Sequence, residues 1–411
     1  MCVLICSDSS PIHMCRAGLV GYITNVLALE MTFHPIHFVG CELFRIHNQP
    51  WGIFGWQGII PTKAEKMASV TFDLMTTKLL NMKEIFNRLD PKRFASVMED
   101  ATLLMLDEVT NTIAMEYIPK RWMNLPQEVK NELIVAISME SDEFLYTFME
   151  DLKAHIDDIL DLKAMIVEAV VREKQLMVDV FQQCGKKEFT FIRRSGFYFG
   201  TLFGLIQMGV FFVYNATWVL PIFGFMVGWA TNWLALKVIF RPQEPYHIGP
   251  ITIHGLFYKR QKEVSDKFAY ITCFEILHTK AIWERILTGP RCKYFYAMLR
   301  AHSIVFTEQL VSGLKPVVVF SIGSKQFLQM KEDIALAIEN KLPGIIPHSY
   351  QYTTEALDVE DTLRERMKQC TYAEFEGILH PAFEEDEMLL IMVGGILGLL
   401  AGVIQVLIFY L

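Results

Sequence analysis

Two Thr-Asn pairs, Thr24-Asn25 and Thr231-Asn232, are the residues of this chain that most invite chemistry, because each sits inside an apolar run. An asparagine amide placed in hydrocarbon must hydrogen-bond to a neighbouring helix, to a headgroup or to water. Two roles follow: a polar site lining a path or holding a headgroup, or an interhelical clamp of the kind worth about 0.6 kcal/mol on average. Anion contact is the second chemistry on offer. Its candidates are Lys63 and Lys66 after the first pair, and Lys237, Arg241, Lys259, Arg260 and Lys262 after the second. Aromatic residues accompany the basic loops, Trp51, Phe54 and Trp56 before Lys63 and Lys66, and Tyr246, Phe257 and Tyr258 before Lys259, Arg260 and Lys262. Aromatic then basic residues just outside a membrane helix form a belt able to touch anionic lipid phosphates, although ordinary topology determinants look the same.

Other constellations point to less. His34-x2-His37-x3-Cys41-x5-His47 has zinc-ligand residue types but irregular spacing, and a later copy of the same stretch places Arg241 and Glu244 where His34 and His37 stand; no metal and no cofactor is expected. His155 beside Asp157, Asp158 and Asp161 reads as the solvated face of an amphipathic helix. No G-x-S-x-G elbow, Walker loop, dinucleotide fingerprint or H-E-x-x-H occurs, so a non-enzymatic role is expected.

The elements that must hold these residues come in two copies. Gly21–Pro35 reads G-Y-I-T-N-V-L-A-L-E-M-T-F-H-P and Gly228–Pro242 reads G-W-A-T-N-W-L-A-L-K-V-I-F-R-P, identical in eight of fifteen columns. Gly196, Gly200 and Gly204, followed by Gln207, recur at the same spacing as Gly394, Gly398 and Gly402, followed by Gln405. Small residues at every fourth position let a second helix approach closely, so these glycines are expected at helix contacts. The spacing yields two repeat units, 17–209 and 218–411, each opening on a Thr-Asn helix and closing on a glycine-ridged one around a polar insert, 64–190 or 258–385. The inserts read as helical bundles punctuated by Pro91, Pro119 and Pro126 in one and Pro290, Pro316, Pro343 and Pro347 in the other. Leu152, Ile156, Ile159, Leu160, Ile166, Val167 and Val170 recur at helical spacing between Asp151 and Val180.

Gly196–Tyr214, Trp218–Phe240 and Met388–Leu411 are long and apolar enough to cross a ~30 Å hydrocarbon core, which takes ~20 residues of helix. Ala17–Phe33 is a shorter fourth, so either that helix is short and interfacial or the chain begins upstream of Met1. Lys186, Lys187, Arg193 and Arg194 precede one span, and the cations from Lys237 to Lys262 follow the next. Both inserts are therefore expected on the positive, cytoplasm-like side, with the two Thr-Asn helices running the same way in a parallel duplication. Of 411 residues, 52% are hydrophobic and 20% charged, a balance that fits membrane helices carrying polar domains. The net charge of -8 excludes general nucleic-acid binding. Eight scattered cysteines without a C-x-x-C read as reduced thiols.

At Gly228, Thr231, Asn232, Leu234, Ala235, Leu236, Lys237, Phe240, Arg241 and Pro242, then Ile248, Gly249, Lys259 and Arg260, the chain resembles the opening of the domain-of-unknown-function 445 family, the YheB/YjiN-like membrane proteins. That family also tends to close on a glycine-rich helix ending G-x-x-Q, as Gly402–Gln405 does. The first copy departs at Glu30 for Lys237, His34 for Arg241 and Pro61-Thr62-Lys63 for Tyr258-Lys259-Arg260, which weakens or alters any anion site there. The resemblance implies a membrane protein with a large helical domain and brings no reaction, substrate or catalytic residue.

The expectation is thus an all-α integral membrane protein of about four transmembrane helices and two helical extramembrane domains. Its role would be that of a scaffold, tether or lipid-engaging protein, with membrane lipids as partners. The alternative is a small-solute or ion transporter or channel using Asn25 and Asn232, for which so few spans would require a homo-oligomer.

Overall fold

A computed structural model describes residues 10–40, 49–52, 55–214, 216, 218–248, 251–312, 323–379 and 381–410, and these are mostly helical, an all-α chain. Helix α1, Ser10–Phe33, leads into the two-residue strands β1, Val39–Gly40, β2, Trp51–Gly52, and β3, Gly55–Trp56, with β3 central and antiparallel to both others. Then come α2, Ile59–Lys78, α3, Met82–Phe86, α4, Pro91–Tyr117, α5, Pro119–Asn124, α6, Gln127–Ala154, α7, Ile156–Ile159, α8, Leu162–Arg172, and α9, Gln175–Cys184. The long α10, Lys186–Val213, and α11, Val219–Phe240, precede a hairpin of β4, Tyr246–Ile248, and β5, Ile251–Ile253. The rest is α12, Leu256–Lys259, α13, Gln261–Ile271, α14, Thr279–Thr288, α15, Cys292–Val311, α16, Ser324–Ile345, α17, Tyr350–Leu357, α18, Val359–Gln369, α19, Tyr372–Leu379, and α20, Pro381–Tyr410.

Local chemistry explains many of these boundaries. Asp90 caps α4 by accepting from the Lys92 amide at 3.0 Å, with Pro91 in the first turn, where a missing N–H costs nothing. Thr371 and Glu374 form a capping box on α19: the Thr371 amide donates to Glu374 Oε2 at 3.1 Å and the Glu374 amide to Thr371 Oγ1 at 3.3 Å. The run from Asp151 to Val180 is broken, since α6 ends at His155 and Asp161 caps a new start by accepting from the Ala164 amide at 3.0 Å. Its apolar phase continues across the breaks, which is why periodicity reads it as one helix. Pro343 lies inside α16, two residues from its end, where only one backbone bond is forfeited.

Two compact units divide the chain. One comprises residues 1–79, 166–272 and 363–411, the other 80–165 and 273–362. Both draw on both halves of the sequence, so compactness divides the chain differently from the repeat boundaries 17–209 and 218–411.

In the first unit α1 packs along α10 and α11 along α20, and the two pairs meet through α10 with α11 and α1 with α20 and α11. Gly21, Asn25 and Ala28 of α1, Ser195, Gly196 and Gly200 of α10, Gly228, Thr231, Asn232 and Ala235 of α11, and Gly394, Gly398 and Gly402 of α20 are buried. Along the seams many large apolar residues point away, with Leu19, Ile23 and Leu27, then Leu202 and Ile206, then Ile222 and Met226, then Ile396, Leu400 and Ile404 exposed, whereas Leu29, Phe33, Ile192, Leu236, Ile239 and Ile391 are buried. Helices α2, α9, α13 and α19 pack below these four, with Phe72 and Phe268 stacked and Phe33 edge-on to Phe189 at 5.0 Å. Among the described residues, two helices are long and apolar enough to cross a membrane, Val219–Phe240 and Glu387–Leu407. Gly18–Phe33 is apolar but shorter, and the expected run from Gly196 extends over residues 211–212, whose side chains lie outside the described set.

The second unit is a ring of α4, α6, α15 and α16 closed by α14 and α17. Its interior is aromatic: Phe148 is edge-on to Phe295 at 5.5 Å, Phe144 meets Phe306 at 5.1 Å, and the buried Trp283 lies against Phe94. Here the aromatic residues Phe94, Phe148, Trp283 and Phe295 face inward, while Leu104, Met139 and Leu328 are exposed. His155 is exposed and pairs with Asp151 at 2.9 Å, and Asp161 is held by Arg291 at 2.9 Å.

Candidate functional site

Each Thr-Asn pair sits where two backbones nearly touch. Asn25 is 0% exposed and its Nδ2 donates to the Ile192 carbonyl of α10 at 2.7 Å. Asn232 is 2% exposed and its Nδ2 donates to the Leu390 carbonyl of α20 at 3.0 Å. The accepting carbonyls stand four residues before Gly196 and Gly394 respectively, so each asparagine reaches over a glycine. A Cβ at Gly196 would overlap the Gly21 carbonyl and the Asn25 amide, and one at Gly394 would overlap the Asn232 amide. Thr24 and Thr231 turn their hydroxyls back onto their own helices, donating to the carbonyls of Gly21 at 3.0 Å and Gly228 at 3.2 Å. Neither asparagine Oδ1 has a hydrogen-bond partner among the described residues, an omission that costs about 1–3 kcal/mol when buried.

The remaining glycines line the same seams. A Cβ at Gly21 would stand 3.2 Å from the Gly200 Cα, and Gly398 against Gly224 and Gly402 against Leu220 and Pro221 are close enough to exclude a side chain. Gly204 is half-buried.

The basic candidates scatter in environment. Lys63 is half-buried and Lys66 exposed, both with interaction partners. The Lys237 ammonium lies over the Trp233 ring at 4.7 Å, and Arg241 stands 3.9 Å from the buried Glu376. Lys259 and Lys262 are exposed. Arg260 is engaged within the protein: its guanidinium is 2.5 Å from Glu188 on α10 and 3.0 Å from Glu263. Glu263 also takes Lys187 at 2.7 Å, and bonds from Arg260 and then Lys187 hold its carboxyl down to about 2. Burial pushes the neighbouring Cys184 thiol up to about 12, leaving it inert. Spacing along the sequence could not reveal this knot, whose pairs bridge 72 and 76 residues. In the histidine set, His34 Nε2 stands 3.4 Å from the Gln182 amide, Cys41 and His47 lie outside the described residues, and no three metal-capable side chains meet among those described.

Beside Arg260 opens a groove of about 820 Å³, walled by residues 243–244 after α11, by α12 and the start of α13, and by the α18–α19 turn. His254 forms part of it, its Nε2 donating to the Gln243 carbonyl at 2.8 Å and its ring edge-on to Tyr372 at 4.8 Å. The buried Gln261 amide ties the walls together by donating to the carbonyls of Met367 at 3.1 Å and Cys370 at 2.8 Å. A separate small apolar pocket of about 40 Å³ lies between α1, α9, α10 and α11, with Phe257 and Leu390 completing its lining.

No protein-family model matches the chain, and neither a curated protein nor a solved structure matches it.

Proposed function

We propose that the protein is a multi-pass membrane scaffold or tether that engages lipid and performs no catalysis. The observation that carries this reading is the arrangement along the glycine seams of the four long helices, where glycine, threonine and asparagine lie inside while Leu19, Ile23, Leu202, Ile206, Ile222, Met226, Leu400 and Ile404 lie outside. Water would drive those large side chains inward, whereas lipid supplies no such drive and leaves close packing and polar clamps to join helices. On this reading all four helices cross the bilayer, although among the described residues only two are both long and apolar enough to do so unaided, and the two pairs are parallel tandem copies. Support for the duplication comes from the asparagine-to-carbonyl contact, which recurs with its acceptor four residues before a glycine in each pair. The likeness to the 445 family rests on the same motif residues and agrees with the reading. The inserts are assigned to the cytoplasm-like side by the cations that flank the spans.

Alkaline carbonate extraction tests the assignment. The full chain stays in the membrane pellet, and its release into the soluble fraction overturns the reading. In sealed vesicles and a cysteine-free background, Lys120→Cys and Ala216→Cys take up an impermeant maleimide from opposite sides.

The unpartnered Oδ1 atoms of Asn25 and Asn232 favour one second reading, a polar path through the bundle. It requires solute flux in proteoliposomes of the full chain that disappears in Asn232→Ala; flux that persists in the variant retires it.

A further inference from the structure

We infer that the groove beside Arg260 binds a phosphorylated polyol, a ligand with one phosphate monoester and several free hydroxyls. The charges that line it decide the class. Four cations, Lys259, Arg260, Lys262 and Lys368, face two carboxylates, Glu244 and Glu263, in a chain whose net charge is negative. Two of the cations are committed, Arg260 to Glu188 and Glu263, and Lys368 to Asp266 at 2.8 Å and Glu365 at 3.2 Å. Lys259 and Lys262 are exposed, have no ion-pair partner among the described residues, and stand three residues apart across the start of α13. Two adjacent uncompensated ammonium groups match one phosphate monoester, which carries about −1.5 to −2 at neutral pH.

The other wall sets a limit on that charge. Glu244 is exposed and unpaired among the described residues, so it repels a second phosphate on its side of the groove. An ionised carboxylate only accepts hydrogen bonds, and hydroxyls are what it can accept from. Tyr372 and His254 add an aromatic flank, and about 820 Å³ lies within the range of small-molecule sites. The walls are held in place without ligand by Gln261 and Arg260, so binding orders little.

A phosphorylated polyol can be a lipid headgroup or a soluble sugar phosphate. The groove begins three residues after the apolar helix α11 ends, which under the membrane reading proposed above puts it at headgroup level and favours the lipid. The site itself stands on its charges and needs that reading only for the ligand's source.

The experiment measures binding to the full chain in detergent of dioctanoyl phosphatidylinositol phosphate, of inositol 1-phosphate, and of dioctanoyl phosphatidylserine. The phosphorylated inositol lipid binds saturably, and Lys259→Gln/Lys262→Gln weakens it by about tenfold or more. Lys259→Arg/Lys262→Arg retains binding, and Lys83→Gln/Lys92→Gln, the same charge change elsewhere, leaves it unaltered. Glu244→Gln narrows the preference for the inositol lipid over phosphatidylserine. Equal binding of inositol 1-phosphate assigns a soluble ligand, and binding of the lipid alone assigns the headgroup; both uphold the phosphate chemistry. No saturable binding of either phosphorylated probe, or equal losses in the Lys83/Lys92 control, overturns the proposal. Carbonate extraction of the same variants reads membrane residence separately, so a failed groove and a failed membrane assignment give different results.

Discussion

The pair α1–α10 and the pair α11–α20 share a contact and differ in what surrounds it. In both, an asparagine amide crosses to a carbonyl one turn before a glycine, at 2.7 Å in one and 3.0 Å in the other. The similarity continues into the following loops. The Gly58 amide donates to the Pro35 carbonyl at 2.9 Å as Gly255 does to Pro242 at 3.0 Å, and the preceding side chains, Gln57 and His254, both donate to a backbone carbonyl of the loop. Counting from those glycines, Thr62, Lys63 and Glu65 stand where Lys259, Arg260 and Lys262 stand. The clamp is therefore common to both, and among the described residues the cationic groove occurs beside the second pair. What is kept twice serves packing, and what differs is where a specific ligand should be sought.

Breaking the charge knot tests the contrast most severely. Arg260→Ala strands Glu188, which is 5% exposed, and should cost about 3–5 kcal/mol, whereas Lys63→Ala at the matching place should cost under about 1 kcal/mol; thermal unfolding in detergent compares them. Next come the seams. Gly394→Leu and Gly21→Leu each force two backbones apart and should cost about 1–3 kcal/mol with a loss of monodisperse protein on gel filtration. Equal effects would support equal packing roles. Asn25→Leu and Asn232→Leu remove one interhelical bond and one unpartnered oxygen together, so each should change stability by about 1 kcal/mol or less. The smallest effect is with acid. Glu263 ionises well below its ordinary value of 4.5, so its stabilisation is intact above that value and is lost as pH falls toward about 2. Because its side chain is 37% exposed, screening keeps this below about 1 kcal/mol, visible as a small drop in melting temperature across that window and absent in Glu263→Gln.

The helices that carry the clamps were legible because three signals coincide there: apolar length, the Thr-Asn pair and glycine at every fourth residue. Glycine spacing even names the positions of closest approach, since only a missing Cβ admits a neighbouring backbone. The C-terminal ends of α1 and α11 were legible where Phe33-His34-Pro35 and Phe240-Arg241-Pro242 stop the helix, whereas α10 and α20 begin at Lys186 and Pro381, before the apolar runs expected from Gly196 and Met388, because charged residues continue the helix ahead of each run. The groove was legible only as a list of cations. Which of them are free depends on Glu188, Glu365 and Asp266, and sequence spacing does not report such partners. The small strands went unread because two or three residues such as Gly55–Trp56 carry no alternation. The division into compact units was also out of reach, because it depends on which halves of each insert pack together and not on any local pattern.

Because each compact unit is sewn from both halves of the chain, neither is complete when the first half has left the ribosome. The aromatic ring needs residues up to 362, and the four long helices need the final one. A nascent chain halted near residue 210 would hold a single clamped helix pair and half of an aromatic interior, with Phe94 and Phe148 still awaiting Trp283 and Phe295. Biogenesis must therefore shelter that unfinished surface until residues 273–362 have been made, and fragments cut between the two halves are poor starting material for studying either one.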